Sequence, residues 1–396
     1  MAMRVLMVSD VYFPRINGVS TSIETFCNDL AAQDIDVTLI APDYPQEAAS
    51  NSGNSGNPSN PSSKAQRVPS RKVPFDPEDR LMHWKPLLAQ LQTSGRDNVD
   101  LIHIQTPFIA HYAGVRAKAM FGVPAIATYH THFEEYIHHY LPVMPRPLLR
   151  AAARTLARSQ CNELDAVVVP SQIMRDTLDD YGVTAPMHVL PTGIPISQFA
   201  GGDGKAFRRL HGIAIDTPLA LYVGRVAHEK NIGFLLDAAK QIAASLPGFI
   251  LMVAGEGPAL PALRRQAAAL GIEANVRFVG YLDRASALPD CYAAANVFVF
   301  ASKTETQGLV LLEAMAAGIP VYAFAAMGTC DIVGPQQGAI AAPDNVGEFA
   351  NGLRQLLQDH PRLMQMSQQA RQFAQSWSAP ERARQLAALY HSLARH

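Results

Sequence analysis

Cysteine is scarce and unpatterned in this sequence: Cys27, Cys161, Cys291 and Cys330 are the 4 in 396 residues, far apart and without a CxxC. That spacing argues against a disulfide framework and a structural zinc set, and it fits a reducing, cytoplasmic compartment. Each cysteine is read as a small buried apolar residue. Long apolar runs are also missing. The nearest, 312–330, is interrupted by Gly318 and Pro320, so no segment is expected to cross a bilayer. Residues 1–9 are apolar but too short for a secretion signal with its cleavage site, and read as a first buried strand. Neither charge is in surplus: 33 Lys and Arg stand against 34 Asp and Glu, a formal net charge of −1. Broad attraction to nucleic acid needs a basic surplus, so nucleic acid is not expected as a partner.

What is present is apolar and alternating. Hydrophobic residues make up 48% and charged residues 17%, enough for large cores. Short β-rich runs recur at 4–8, 37–40, 101–104, 125–129, 166–169 and 188–190, then at 219–223, 249–254, 276–279, 297–300 and 321–323. Most are continuous rather than alternating, the mark of parallel strands covered on both faces. Helical patterns lie between them, for example 20–33, 231–246, 259–270 and 310–317. Strand–helix alternation over this length implies two doubly wound α/β units, Rossmann-like in class. The breakers in PTGIPISQFAGGDG put the boundary near 191–204, giving lobes 1–197 and 198–376 and a terminal segment 377–396. The Ser-, Asn-, Gly- and Pro-rich stretch 46–70 reads as a disordered surface loop.

In such sheets ligands bind outside the carboxyl ends of strands, so the residues that follow each strand carry the chemistry. After the first strand, Gly18 precedes a helix with Ser20 and Thr21 near its start, a place where backbone can approach a phosphate. An ordinary strand–helix turn explains Gly18 as well. His130 comes first after the strand 125–129, ahead of His132, His138 and His139, which read as surface or helix residues. The spacing of these histidines matches no closed metal-ligand set. Arg225 and Lys230 follow 219–223 on a loop into a helix. They are either a fork and a point charge for a diphosphate or two solvated cations. Gly255 and Gly280 end their strands in tight turns that suit backbone contacts to a nucleotide base and equally suit plain turns. The strongest pattern is Glu305 followed eight residues on by Glu313. Glu305 lies on a loop and Glu313 inside an apolar helix. A carboxylate on a buried helix face needs hydrogen-bond donors, and sugar hydroxyls are such donors. Gly308 and Leu309, at the start of that helix, offer amides to phosphate.

Taken together, the Gly18 loop, GRVAHEKNI, VAGEGP and the Glu-x7-Glu element resemble family 4 of the retaining glycosyltransferases, with the GT-B fold of two Rossmann-like domains facing across a cleft. The resemblance covers nearly the whole chain apart from 46–70. It implies that Glu305 contacts donor-sugar hydroxyls and Glu313 the ribose. Arg225, Lys230 and the amides of Gly308 and Leu309 would hold the diphosphate. Gly18 would close the donor site from the first, acceptor-side domain, and His130 would sit beside the transferred sugar. It also implies a terminal helix that crosses back to the first domain, a nucleotide-diphosphate sugar as co-substrate, no cofactor and no required metal. YFPRINGVSTSI, HIQTPF, TYHTHFEEYIHHY, PTGI and SKTETQGLVLLEAMA look like the branch that glucosylates diacylglycerol from UDP-glucose. Phe133 stands where that branch usually has Tyr, and His132 where it often has Met, both near the expected acceptor side.

Three readings follow for the activity. The first is hexosyl transfer to a lipid or glycan acceptor. The second keeps the fold with GDP-mannose as donor, and the third is a catalytically silent nucleotide-sugar binder. One further pattern bears on location. Arg146, Arg150, Arg154 and Arg158 recur every four residues and share a helix face. Like charges so spaced repel unless something negative lies opposite. Anionic headgroups would supply it and hold the protein peripherally on the inner face of the cytoplasmic membrane; carboxylates of neighbouring elements are the alternative.

Overall fold

A computed structural model describes residues 2–15, 17–44, 64–73, 76–95, 98–130 and 146–394. The chain falls into two units, Met1–Gly193 with Ala379–His396, and Ile194–Ser378. The change of unit thus comes at Gly193, within the expected boundary stretch 191–204 and four residues before the 197/198 division.

The first unit holds β1 (Met3–Val8), β2 (Ile35–Pro42), β3 (Lys64–Val68), β4 (Ser70–Val73), β5 (Asp76–Met82), β6 (Leu101–Ile104), β7 (Ala125–Thr128), β8 (Ala166–Val169) and β9 (Met187–Val189). Its main sheet runs β3-β2-β1-β6-β7-β8-β9 with every ladder parallel, and β4 and β5 form a separate antiparallel pair. Helices α1 (Gly18–Leu30), α2 (Trp84–Ser94), α3 (Ile109–Phe121), α4 (Arg146–Asn162) and α5 (Gln172–Asp180) connect the strands. The continuous burial of β8 is why AVVV reads as an unbroken apolar run, while β6, equally buried, carries His103 within LIHI.

One expectation fails here. The stretch 46–70 is not without structure throughout: Lys64–Val68 is the edge strand beside β2, Val68 is buried, and Ser70 opens β4. An edge strand is held by main-chain pairing, which needs little apolar sequence, so composition alone misses it. Residues 45–63 lie outside the described residues, as do 131–145 with His132, Phe133, His138 and His139. Cys27, Cys161 and Cys291 are buried as expected, but Cys330 is exposed. It lies in a single short 3-10 turn with Gly328 and Thr329 inside, and its own side of that turn faces out.

The second unit holds β10 (Leu219–Val223), β11 (Ile250–Ala254), β12 (Val276–Gly280), β13 (Val297–Phe300), β14 (Val321–Ala323) and β15 (Ala339–Ala341), paired in parallel in the order β12-β11-β10-β13-β14-β15. Its helices are α6 (Ile196–Phe199), α7 (Gly204–Leu210), α8 (Ile232–Ser245), α9 (Leu260–Leu270), α10 (Ala287–Ala294), α11 (Leu309–Ala316), α12 (Val346–Gln358) and α13 (His360–Gln375). The last helix, α14 (Ala379–Ala394), belongs to the first unit. Its Ala383, Leu386, Ala387 and Tyr390 share a core with Ile23, Phe26, Cys27 and Leu30 of α1. A polar contact fixes the docking. The Tyr390 hydroxyl lies 2.6 Å from Nδ1 of the buried His103, whose Nε2 lies 2.7 Å from Thr128 Oγ1. Both ring nitrogens are satisfied, and burial, with His130 nearby, pulls the His103 imidazole down to about 3. It is therefore neutral at physiological pH.

Candidate functional site

Each sheet reverses its strand order once, at β1/β6 in the first unit and at β10/β13 in the second. The crevice beyond the carboxyl ends of such a strand pair is where ligands bind in this architecture. The two crevices are furnished in opposite ways.

In the first unit the crevice is closed by the protein itself. Asp10, just after β1, accepts from the Ala110 amide at 3.1 Å and from Thr106 Oγ1 at 2.8 Å, and its own amide donates to Thr106 Oγ1 at 2.7 Å. The N-terminus of α3 is thus occupied by an internal carboxyl and is not open to an anion. Burial pushes the Asp10 carboxyl up to about 7, against the pull of the Ala110, Thr106, Phe108 and Ile109 hydrogen bonds. A carboxyl raised by folding binds its proton more tightly when folded. Its stabilising effect is complete below its ordinary 3.8 and is lost as pH rises to about 7. Asp10→Asn removes that loss. The unfolding free energy of the variant, relative to wild type, is expected to rise by about 1.4 kcal/mol per pH unit between pH 4 and 7. Urea unfolding of both proteins across that range measures it, and a flat difference would show that Asp10 is already ionised when folded.

In the second unit the crevice is cationic and its helix is uncapped. Arg225 and Lys230 follow β10, and Ser302–Glu305 follows β13, the neighbouring strand. Arg225 is exposed, while Lys230 is largely buried and forms an ion pair with Glu305. Asn231, in the left-handed region at φ 54°, sends its Nδ2 to the Ala301 carbonyl at 3.2 Å and so ties the two loops together. Tyr222, fully buried under this loop, donates to the Arg225 carbonyl at 3.0 Å; burial, then Glu305 and Glu229, drive its hydroxyl far above the usual tyrosine range. Gly308 begins α11 at φ 82°, which favours glycine, and no side chain caps the helix. The first amides of α11, which follows β13, therefore have no N-cap side chain to accept from them, the arrangement that suits a phosphate.

Glu313 lies on the inner face of α11 at 1% exposure. Its two oxygens are held separately, Oε1 by the Arg284 guanidinium and Oε2 by the Tyr292 hydroxyl at 2.8 Å. Arg284 loses water on burial, which lowers its pKa, yet Glu313 more than offsets this and holds the guanidinium above its ordinary range. Neither partner stands out by sequence pattern. Arg284 could have been noticed only because it follows the end of β12.

Gly255, at φ 137°, has a packing reason: a Cβ there would sit 2.0 Å from the Gly224 carbonyl oxygen, so the loops after β10 and β11 meet backbone to backbone. The Gly280 carbonyl accepts the Gly255 amide at 2.7 Å. Gly18 is the first residue of α1, in open space, and α1 is capped by Asn17, which accepts from the Ser20 amide at 2.9 Å. His130 lies beyond β7, where its Nε2 meets Gln105 Oε1 at 2.8 Å. An amide oxygen only accepts, so Nε2 carries the proton, and burial draws the ring down to about 4 and keeps it neutral. The structure therefore gathers Arg225, Lys230, Glu305, Gly308, Leu309 and Glu313 in one unit, with Gly18 and His130 in the other.

On α4, Leu149, Ala153 and Ala157 are buried. At 100° per residue, the exposed Arg150, Arg154 and Arg158 flank that stripe on one side, and Leu148 and Leu156, 56% and 39% exposed, flank it on the other. Arg154 also lies 5.2 Å over the Tyr181 ring. Arg146 is the first residue of the helix.

Two units built on parallel sheets, one with cations at its switch point and the carboxylates Glu305 and Glu313 beside it, the second of them buried, define a doubly wound α/β class of protein. Comparison with known proteins identifies it. Residues 16–198 match the family described as Glycosyltransferase Family 4, and residues 204–373 the family described as Glycosyl transferases group 1. The chain is similar to Anabaena HepE solved with UDP, at 18% identity and TM-score 0.77 over 99% of this chain and 100% of that one. It is 33% identical over 328 residues to the alpha-monoglucosyldiacylglycerol synthase of Streptococcus pneumoniae, covering 81% of this chain and 71% of the relative. It is 27% identical over 353 residues to a GDP-mannose-dependent alpha-mannosyltransferase of Mycobacterium tuberculosis, covering 88% and 86%. The chain belongs to the family 4 glycosyltransferases and has the GT-B fold. Within that family it falls in the diacylglycerol glucosyltransferase branch.

Proposed function

We propose that this glycosyltransferase moves glucose from UDP-glucose to diacylglycerol or a related lipid, with retention at the anomeric carbon. The observation that carries the donor half is the contrast between the two switch points. Among the described residues, the second unit's crevice combines the cations Arg225 and Lys230 with a helix start that has no N-cap side chain, where a departing diphosphate needs stabilisation. Arg225, Lys230 and the amides of Gly308 and Leu309 hold that diphosphate. Glu305, paired with Lys230, reaches the sugar hydroxyls, Glu313 takes the ribose, and neutral His130 accompanies the transferred sugar. The Streptococcus pneumoniae relative supports the acceptor and the sugar; the Mycobacterium tuberculosis relative supports a second reading with GDP-mannose as donor. The silent-binder reading has no such support. Because the protein's own cations meet the leaving group, transfer requires no cofactor and no divalent ion.

Product analysis decides among these. The protein is incubated with UDP-glucose or GDP-mannose, diacylglycerol vesicles and excess chelator, and the lipids are examined by mass spectrometry. A hexose added from UDP-glucose in chelator supports the proposal. A product from GDP-mannose alone turns it to the second reading, loss on chelation restored by magnesium overturns the metal-free step, and no lipid product with either donor overturns the acceptor.

Among the described residues, no helix is long and apolar enough to cross a membrane. We propose peripheral binding through α4, with Arg150, Arg154 and Arg158, joined by Arg146, meeting anionic headgroups at about 1 kcal/mol per basic residue. The flanking Leu148 and Leu156 add modest apolar contact. Co-sedimentation is expected with anionic vesicles at low salt and not with neutral ones, and glutamine at the four positions should abolish it. Equal failure to pellet with both lipids would remove the membrane role.

A further inference from the structure

Glu313 is an unusual residue to find inside α11. Leu311, Leu312, Ala314, Met315 and Ala316 around it are buried and apolar, and its carboxylate is almost as inaccessible. A carboxylate in such a place must have its lone pairs matched or it will not stay there ionised. The two oxygens of a carboxylate together offer about four acceptor directions. Arg284 uses one on Oε1 and Tyr292 one on Oε2, so each oxygen keeps one direction for a further donor. Two vicinal hydroxyls offer that pair of donors in the same spacing.

The two partners are themselves immobilised. The Arg284 carbonyl accepts from Gln198 Nε2 at 2.5 Å. Its guanidinium lies 5.6 Å over the ring of Phe199, and the Phe199 ring meets Tyr292 edge-on at 5.7 Å. Phe199 and Tyr292 have no exposed surface, whereas the Arg284 side chain keeps 27%. Thus one carboxylate oxygen is held by a fully buried tyrosine hydroxyl and the other by a partly exposed cation, and the buried Phe199 ring packs against both holders.

We propose that Arg284 and Tyr292 are positioning residues for Glu313, and that through it they set the discrimination of the donor site for the ribose 2′- and 3′-hydroxyls. This rests on the reading of Glu313 as the ribose acceptor given under the proposed function. A group that merely braces α11 against α10 would affect every nucleotide equally. A group that aims the Glu313 carboxylate affects only nucleotides whose sugar carries the hydroxyls.

The test compares the affinity of UDP with that of 2′,3′-dideoxy-UDP by calorimetry on the full chain. Wild type, Glu313→Gln, Arg284→Met, Arg284→Lys and Tyr292→Phe are measured. Wild type is expected to prefer UDP. Arg284→Met should weaken UDP by about tenfold and Tyr292→Phe by about threefold, in the range of a charged and a neutral hydrogen bond respectively. Both should leave the dideoxy analogue within about twofold of wild type, and Arg284→Lys should recover part of the loss. Tyr292→Phe keeps the ring and its packing, so it decides the matter should Arg284→Met fail to fold. Equal weakening of both nucleotides, or undiminished UDP binding in either variant, overturns the proposal. The underlying reading fails separately: if Glu313→Gln keeps the wild-type preference for UDP, Glu313 does not hold the ribose at all. GDP and its dideoxy analogue replace the uridine pair if wild type binds GDP in preference.

Discussion

Replacing Lys230 with alanine is expected to slow transfer at limiting donor by about a hundredfold, close to 3 kcal/mol, the upper range for a hydrogen bond between charged groups. Two losses combine. On the proposed reading the crevice loses a cation where the leaving diphosphate gathers charge, and Glu305 loses its ion-pair partner while still mostly shielded from water. An unneutralised carboxylate beside a diphosphate repels it, so the second loss compounds the first. Arg225→Ala removes only an exposed fork and should cost about tenfold. Initial rates well below the donor KM measure both. If Lys230→Ala turns over like wild type there, the diphosphate assignment is wrong. The result also separates roles: Lys230→Arg keeps the charge and should restore most of the rate if charge matters, but little if the Glu305 geometry matters more.

Phe199→Ala is expected to lower the unfolding free energy by about 4 kcal/mol, the usual cost of emptying a fully buried phenylalanine site. Phe199 has no exposed surface, belongs to the core of the second unit and supports both Arg284 and Tyr292. The four-residue α6 that carries it has no bulk with which to collapse into the void. Urea unfolding of the full chain checks the value; a loss under about 1 kcal/mol would mean that the site refills. Nucleotide affinity should fall in step, because the void lies under the residues that hold Glu313.

Much of the fold was legible because its signals are short-range. Continuous apolar runs marked the parallel strands, and strand–helix alternation marked the two doubly wound units. The carboxyl-end rule points to Arg225, Lys230 and Glu305 from their places after strands alone. It did not single out Asp10, which stands in the same kind of place after β1, since a polar residue after a strand can open a crevice or close it. Asp10 closes it by capping α3, a contact between residues 100 apart in sequence. Composition failed at Lys64–Val68 because an edge strand is held by backbone pairing to β2 rather than by apolar side chains. It failed at Cys330 because burial of a cysteine depends on which side of a turn it occupies.

By itself the sequence determined the class of fold, the approximate halves of the chain and the residue types available at each strand end, all of which follow from periodicity within a few residues. Tertiary structure decided which of those residues meet. Lys230 finds Glu305 across 75 residues and Arg284 finds Glu313 across 29. The first meeting depends on the order in which strands pair, which places β13 beside β10, and the second on the chain's return from β12 on the far side of the sheet toward β13. Charge pairing and helix capping act over a few ångströms. Until the sheet order brings distant loops that close, the sequence offers a cation, a carboxylate and a helix start with nothing to say which neutralises which.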